Sequence, residues 1–306
     1  MIGYDIGFLL LGLIFLIVGG DLLVRSAVSF ADKFGVSSFL IGVTVVSFGT
    51  SAPELMVSIQ AAMDQAADIA IGNVLGSNIA NIALVLGISV VIRPLKIDIN
   101  TYKLSWWVML VSSLLFILFL SDNVITKMEG FMLIAGLFCF IILSVKRNIP
   151  NEESIVSKIN IQTGILFFVL GAIGLYSGSE LFVESAISIA SFFDVPEFVI
   201  GITVVALGTS LPELVTSIVA LAKGQNNISL GNLIGSNVFN VFAVLGITSL
   251  IQELGTKSIL LFLDFGVMLA VMLVFGYYLF IRKKISRTAG FILLFGYISY
   301  ILFTVY

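Results

Sequence analysis

Gly49-Thr50-Ser51-Ala52-Pro53-Glu54-Leu55 recurs 159 positions later as Gly208-Thr209-Ser210-Leu211-Pro212-Glu213-Leu214. The same offset carries Gly72-Asn73, Gly76-Ser77-Asn78 and Asn81 onto Gly231-Asn232, Gly235-Ser236-Asn237 and Asn240. Identity reaches 13 of 20 positions between 41–60 and 200–219, and 10 of 20 between 70–89 and 229–248. It concentrates on polar residues, so the chain is a duplicated unit whose two copies build one polar site. The surroundings are apolar: the 306 residues are 59% hydrophobic and 11% charged, with a mean hydropathy of +1.17. A water-soluble globule of this length cannot bury that much apolar surface, so the bilayer is its solvent.

A spanning helix needs about 20 apolar residues. Cutting the chain at its charged, Pro, Gly and Asn clusters predicts ten spans, at 5–30, 36–62, 69–92, 103–121, 126–146, 161–190, 196–222, 228–251, 257–281 and 288–305. The polar stretch around Pro150 and Glu152-Glu153 divides them into a first five-helix repeat over 1–146, a linker over 147–160 and a second repeat over 161–306. Five is odd, so the second repeat enters the membrane in the opposite sense. This predicts an all-α integral membrane protein of ten transmembrane helices in two inverted repeats, with the repeated motifs facing each other near the midplane. Under this threading twelve basic loop residues, from Lys33 to Arg287, fall on one side, against Lys127 and Lys257 on the other. The positive-inside rule then makes the linker cytoplasmic and leaves both termini outside the cell membrane. Asp64, Asp68, Asp194 and Glu197 read as solvated loop acids on the outer side. Met1–Val28, which lacks a basic leader and a small-residue cleavage pattern, reads as a retained helix.

Composition narrows the chemistry. Histidine is absent, which removes the commonest zinc and copper ligand and the usual general base. The lone cysteine, Cys139, reads as apolar filler in its span and can form no internal disulfide. No nucleophile has an adjacent base, and no Asp dyad sits in the repeated motifs, so an enzyme is not expected. No resident cofactor, nucleic-acid partner or protein partner is expected either; the partners are ions and lipid.

The repeated residues have the chemistry of a hard-cation cage. Pro53 lacks an N–H and its ring collides with the carbonyl four residues earlier, which predicts a break in span 2 over Gly49–Ala52 and its copy in span 7 over Gly208–Leu211. Carbonyls freed this way are tolerated in a membrane only where they are buried in protein or line a wet cavity. Glu54 and Glu213 each follow the proline, in the first turn of a half-helix whose dipole favours the ionised form. Asn73, Ser77 and Asn81 are four apart on one face of span 3, and Asn232, Ser236 and Asn240 form the matching stripe on span 8. Gly72, Gly76, Gly231 and Gly235 share that spacing, which predicts close helix packing beside each stripe. Asn73, Asn78, Asn232 and Asn237 read equally well as interhelical hydrogen-bond partners. The acids do not read as packing, because an ionisable group at mid-span costs roughly 2.5–3.5 kcal/mol on insertion scales. An all-oxygen donor set suits Ca²⁺ or Na⁺, and two carboxylates are neutralised by one Ca²⁺ or two Na⁺, which makes these ions competitors for one site.

The paired G-T-S-x-P-E and G-S-N-x-x-N patterns resemble the cation/Ca²⁺ exchanger superfamily, in particular the prokaryotic sodium/calcium exchangers, over essentially the whole chain. The resemblance implies that spans 2, 3, 7 and 8 form the ion site and that spans 1 and 6 slide as a pair. It implies that Glu54, Asn81, Glu213 and Asn240 are the central ligands. It further implies that Thr50, Ser51, Ser77, Thr209, Ser210 and Ser236 complete the Na⁺ and Ca²⁺ sites and that the backbone carbonyls of Ser47 and Ala206 contribute to flanking Na⁺ sites. Three Na⁺ are commonly exchanged for one Ca²⁺ in the family. An Asp at the position of Asn240 goes with K⁺ dependence in one branch, so Asn240 argues against it here.

The expected function is alternating-access Na⁺/Ca²⁺ antiport at the cell membrane, with H⁺/Ca²⁺ antiport as the alternative and a cation channel ranked below. Outside the motifs, Asp21 and Arg25 are four apart and can pair, whereas their counterparts Glu180 and Glu184 are both acidic. Asp264 is expected to take a hydrogen bond inside the bundle, and Trp106-Trp107 to anchor at the membrane interface.

Overall fold

The computed structural model describes residues 2–147, 157–193, 208–256 and 261–305. Its helices are α1 (Ile2–Phe34), α2 (Ser38–Thr50), α3 (Ala52–Met63), α4 (Ala67–Ile92), α5 (Ile99–Phe119) and α6 (Lys127–Lys146). These are followed by α7 (Ile161–Phe192), α8 (Leu211–Ala222), α9 (Asn226–Ile251), α10 (Leu261–Tyr277) and α11 (Arg287–Val305). Among the described residues eight helices are long and apolar enough to cross a membrane, and α2 with α3 makes a ninth, bent crossing. The first half of the expected span 196–222 and the linker around Glu152-Glu153 lie outside the described residues. The chain is a multi-pass helical membrane protein.

Local chemistry fixes where the helices start and turn. Ser37 caps α2 by accepting from Leu40 N at 3.1 Å. Thr126 and Glu129 form a reciprocal capping box at the start of α6, and Asn160 caps α7 by accepting from Thr163 N at 2.8 Å. The α1–α2 and α8–α9 turns each use a left-handed glycine, Gly35 (φ 63°) and Gly224 (φ 75°).

Four two-residue strands depart from the all-α expectation. β1 (Leu95–Lys96) pairs antiparallel with β4 (Lys284–Ile285), and β2 (Val124–Ile125) with β3 (Leu254–Gly255). The 159-residue offset maps Leu95–Lys96 onto Leu254–Gly255, so each half lends one strand to either clasp. Helix packing follows the same exchange: the end of α4 lies on α11, and the end of α9 lies on α6. The halves are interlocked.

Around this core, α1 and α7 make their largest interface with each other. It is nearly backbone on backbone: a Cβ on Gly12 would stand 2.8 Å from Gly178 O, and one on Gly19 2.9 Å from Gly171 O. The outer faces are apolar, with Phe131 61%, Phe291 60% and Phe295 73% exposed, as side chains immersed in hydrocarbon are. Trp107 is half-exposed and fits an interfacial anchor, but Trp106 corrects that reading. It is buried against α10 and donates from Nε1 to Met272 O at 3.3 Å. Cys139 is exposed on α6.

Candidate ion site

Ser51 leaves helical geometry (φ −86°, ψ 6°), and α2 and α3 meet there at a 43° bend. Pro53 sits in the first turn of α3; it offers no N–H to the Gly49 carbonyl and frees that oxygen. The second copy repeats the device: Ser210 (φ −87°, ψ 0°) precedes α8, with Pro212 in the first turn. Glu54 and Glu213 therefore sit in the first turns of α3 and α8, as the sequence predicts. Both are completely buried, and the two copies meet where Ser51, three residues before Glu54, reaches the Glu213 carboxylate.

Residues of both copies meet at Glu213 and along the helices beside it. Glu213 Oε1 accepts from Ser51 Oγ and from Ser236 Oγ, each at 3.3 Å. Thr50 Oγ1 donates to Asn232 Oδ1 at 3.0 Å and lies 3.3 Å from Ser236 Oγ. The symmetry-related pair, Ser77 Oγ and Thr209 Oγ1, stands at 3.5 Å. Asn240 Nδ2 donates to Asn78 Oδ1 at 3.2 Å. At Asn81 and Asn240 the helices α4 and α9 widen into π-turns, Asn81–Leu86 and Asn240–Leu245. Such wider turns are common at functional sites. No local motif announces these turns, and sequence reasoning missed them.

Donors run short. Among the described residues, the buried Glu54 Oε1 and Oε2, Glu213 Oε2, both polar atoms of Asn81, Asn240 Oδ1 and Ser210 Oγ find no hydrogen-bond partner. A buried polar atom left unpaired costs about 1–3 kcal/mol, and a charged one more. Most of these orphans are acceptors, the imbalance that a cation relieves.

Other sequence-predicted residues have different surroundings. Asn73 Nδ2 donates to Glu54 O at 3.1 Å and Ser58 Oγ at 3.0 Å, and so ties α4 to the first turn of α3. Asn232 reaches Ser217 Oγ at 3.5 Å in the same way. Ser47 O already accepts from Ser51 N at 2.9 Å, while its hydroxyl donates to Gly42 O at 2.9 Å and Asn232 O at 3.0 Å. Ala206 lies outside the described residues. Close packing holds at Gly231 and Gly235, where a Cβ would stand 2.8 Å from Phe39 O and 2.6 Å from Val43 O. Gly72 and Gly76 have no such neighbour among the described residues; the equivalent partner segment, 198–206, is outside them.

Away from the cage, Tyr300 Oη donates to Asp264 Oδ1 at 2.9 Å, the expected hydrogen bond within the bundle. Asp21 pairs with Arg25 at 2.6 Å as expected, and also with Lys223, a contact across some 200 residues that no sequence spacing reveals.

The family model described as "Sodium/calcium exchanger protein" matches residues 4–146 and 163–306. The chain is 34% identical to the "Sodium/calcium exchanger MaX1" of Methanosarcina acetivorans, over the full length of both. It is 36% identical to the "Putative antiporter CaxA" of Alkalimonas amylolytica, over 96% of each. Among solved structures, the sodium-calcium exchanger NCX_Mj soaked with Na⁺ and Ca²⁺ superposes with a TM-score of 0.84 at 32% identity over 99% of both chains. With a twice-copied acidic motif buried at the centre of that fold, the chain belongs to the sodium/calcium exchanger family, whose members are transporters and not enzymes.

Proposed function

We propose that this chain exchanges Na⁺ for Ca²⁺ across the cell membrane by alternating access, as an electrogenic Ca²⁺ extruder of ten helices in two inverted repeats. The observation that carries the reading is the pair of buried glutamates, one from each copy, whose oxygens outnumber their donors. Glu54 and Glu213 supply the charge; Asn81, Asn240, Thr50, Thr209, Ser51, Ser210, Ser77 and Ser236 supply neutral oxygens. The Ser47 and Ala206 carbonyls, with the freed carbonyl of Gly49, extend the cage. The exchanged strands β1–β4 support the two-fold relation between repeats. The basic loop residues support cytoplasmic placement of the linker and external termini.

Antiport follows from charge. Two carboxylates in a dehydrated site hold one Ca²⁺ or two Na⁺ at neutrality, while an empty anionic site is costly to reorient across hydrocarbon. Substrates that occupy the same oxygens by turns are thereby coupled. A second reading, H⁺/Ca²⁺ antiport, draws on Glu54, both of whose oxygens lack partners and could take a proton. Purified protein in vesicles loaded with Na⁺ should take up Ca²⁺ when diluted into Na⁺-free medium. A K⁺ or H⁺ gradient of equal size should not replace Na⁺. Uptake driven by a proton gradient alone would transfer the assignment to the second reading, and uptake independent of any gradient would leave a channel.

A further inference from the structure

Asp21 is the hub of a small ion cluster, bonded to Arg25 Nε at 2.6 Å on its own helix and to Lys223 at the C-terminal cap of α8. The contact joins two bodies. On one side is the α1–α7 pair, held together by the glycine packing described above; on the other is α8, whose first turn carries Glu213. The neighbouring residue Gly20 presses on α8, where a Cβ would stand 3.3 Å from Val215 Cγ1. The charged bridge and the tight packing thus coincide at one level of the fold.

The equivalent positions in the other copy carry no bridge. The 159-residue offset takes Asp21 to Glu180, Arg25 to Glu184 and Lys223 back to Asp64. All three are acids. Among the described residues none has a basic partner: Glu180 accepts from Tyr176 Oη at 3.3 Å, and Asp64 accepts from Gln60 Nε2 at 2.9 Å. An ion pair at one end of the pseudo-two-fold therefore faces three like charges at the other.

We propose that Asp21 and Lys223 form a latch that holds α1 against α8 at the lysine-rich face, so that the exchanger rests with its cytoplasmic route closed and its outer route favoured. Glu180, Glu184 and Asp64 oppose the mirror-image closure and weight the balance in the same direction. Asp21 and Lys223 touch no ion in the cage; they are positioning residues that set how easily each face opens. This inference rests on the alternating-access reading. A conformation populated as a fraction f binds with an apparent Kd raised by 1/f, so loosening the latch must change affinity oppositely at the two faces.

The test is a Ca²⁺ titration from each side of oriented vesicles. Lys223→Gln should lower the apparent KM at the cytoplasmic face and raise it at the outer face, each by about two- to fivefold, the range open to a partly exposed ion pair. Lys223→Arg should keep the wild-type ratio. Asp64→Lys, which supplies Glu180 with a partner, should shift the ratio in the same direction as Lys223→Gln. A ratio unchanged in Lys223→Gln, or equal changes at both faces, would overturn the latch. A second measurement does not depend on transport: in Asp21→Asn, amide hydrogen exchange should rise in the segments around residues 17–25 and 215–223. Unchanged exchange there overturns the latch even if the wild type proves not to be an exchanger. Absence of wild-type exchange would sink the functional reading alone.

Discussion

Two buried glutamates are the side chains to which the proposed exchange assigns charge, and their replacement separates chemistry from folding. Glu54→Gln or Glu213→Gln keeps the volume and removes one negative charge from a fully buried site. Either change should abolish Ca²⁺ exchange, by at least a hundredfold in vesicle flux, while the melting temperature in detergent holds or rises because a buried charge has gone. Retained exchange in either variant would remove that glutamate from the site. Asn73→Ala has the opposite expected signature, since Asn73 holds the backbone of Glu54 and the hydroxyl of Ser58. It should lower thermal stability and weaken apparent Ca²⁺ affinity together, with turnover less affected. The acids were legible in the sequence because apolar surroundings make an ionisable side chain conspicuous. The duty of Asn73 was not, because it shares one helical stripe with Ser77 and Asn81 and only the folded chain shows that it ties α4 to the first turn of α3.

At the level of helices, the break and the packing stripe have distinct expected consequences. Pro53→Ala restores an N–H opposite the Gly49 carbonyl and should straighten the 43° bend between α2 and α3. Exchange should fall more than tenfold with little loss of stability, and wild-type flux in Pro53→Ala would show that the freed carbonyl is dispensable. Gly235→Ala pushes a methyl group into Val43 and Ser47, and overpacking of this kind costs about 1–3 kcal/mol. Its melting temperature should drop, whereas Gly266→Ala, inside α10 with nothing within 4 Å among the described residues, should hold or raise it. The broken helix was readable because proline acts through covalent geometry. The π-turns at Asn81 and Asn240 were not, because a widened turn is selected by packing among several helices and leaves no residue signature. The two-residue strands escaped for the same reason: each pairs with a segment more than a hundred residues away.

Over the whole molecule, the span pattern was sufficient to outline a multi-pass helical fold, while the charged bridge from Asp21 to Lys223 needed the folded chain. If three Na⁺ move against one Ca²⁺, each cycle carries one net charge inward. A potential of 100 mV, inside negative, is then worth about 2.3 kcal/mol per cycle, or roughly fiftyfold in the Ca²⁺ gradient sustained. Exchange in vesicles should accelerate or slow with an imposed K⁺-valinomycin potential of the matching sign, and indifference to that potential would require an electroneutral stoichiometry. The crossed strand clasps bear on biogenesis. Because β2 waits for β3 and β1 for β4, the earlier half of the polypeptide leaves the ribosome with two open seams, the second of which closes only when the final stretch has been inserted. Residues 1–150 and 157–306 made as separate polypeptides in one cell should therefore join into a protease-resistant unit, and either fragment made alone should be degraded. Survival of a solitary half would mean that the seams are ornament rather than closure.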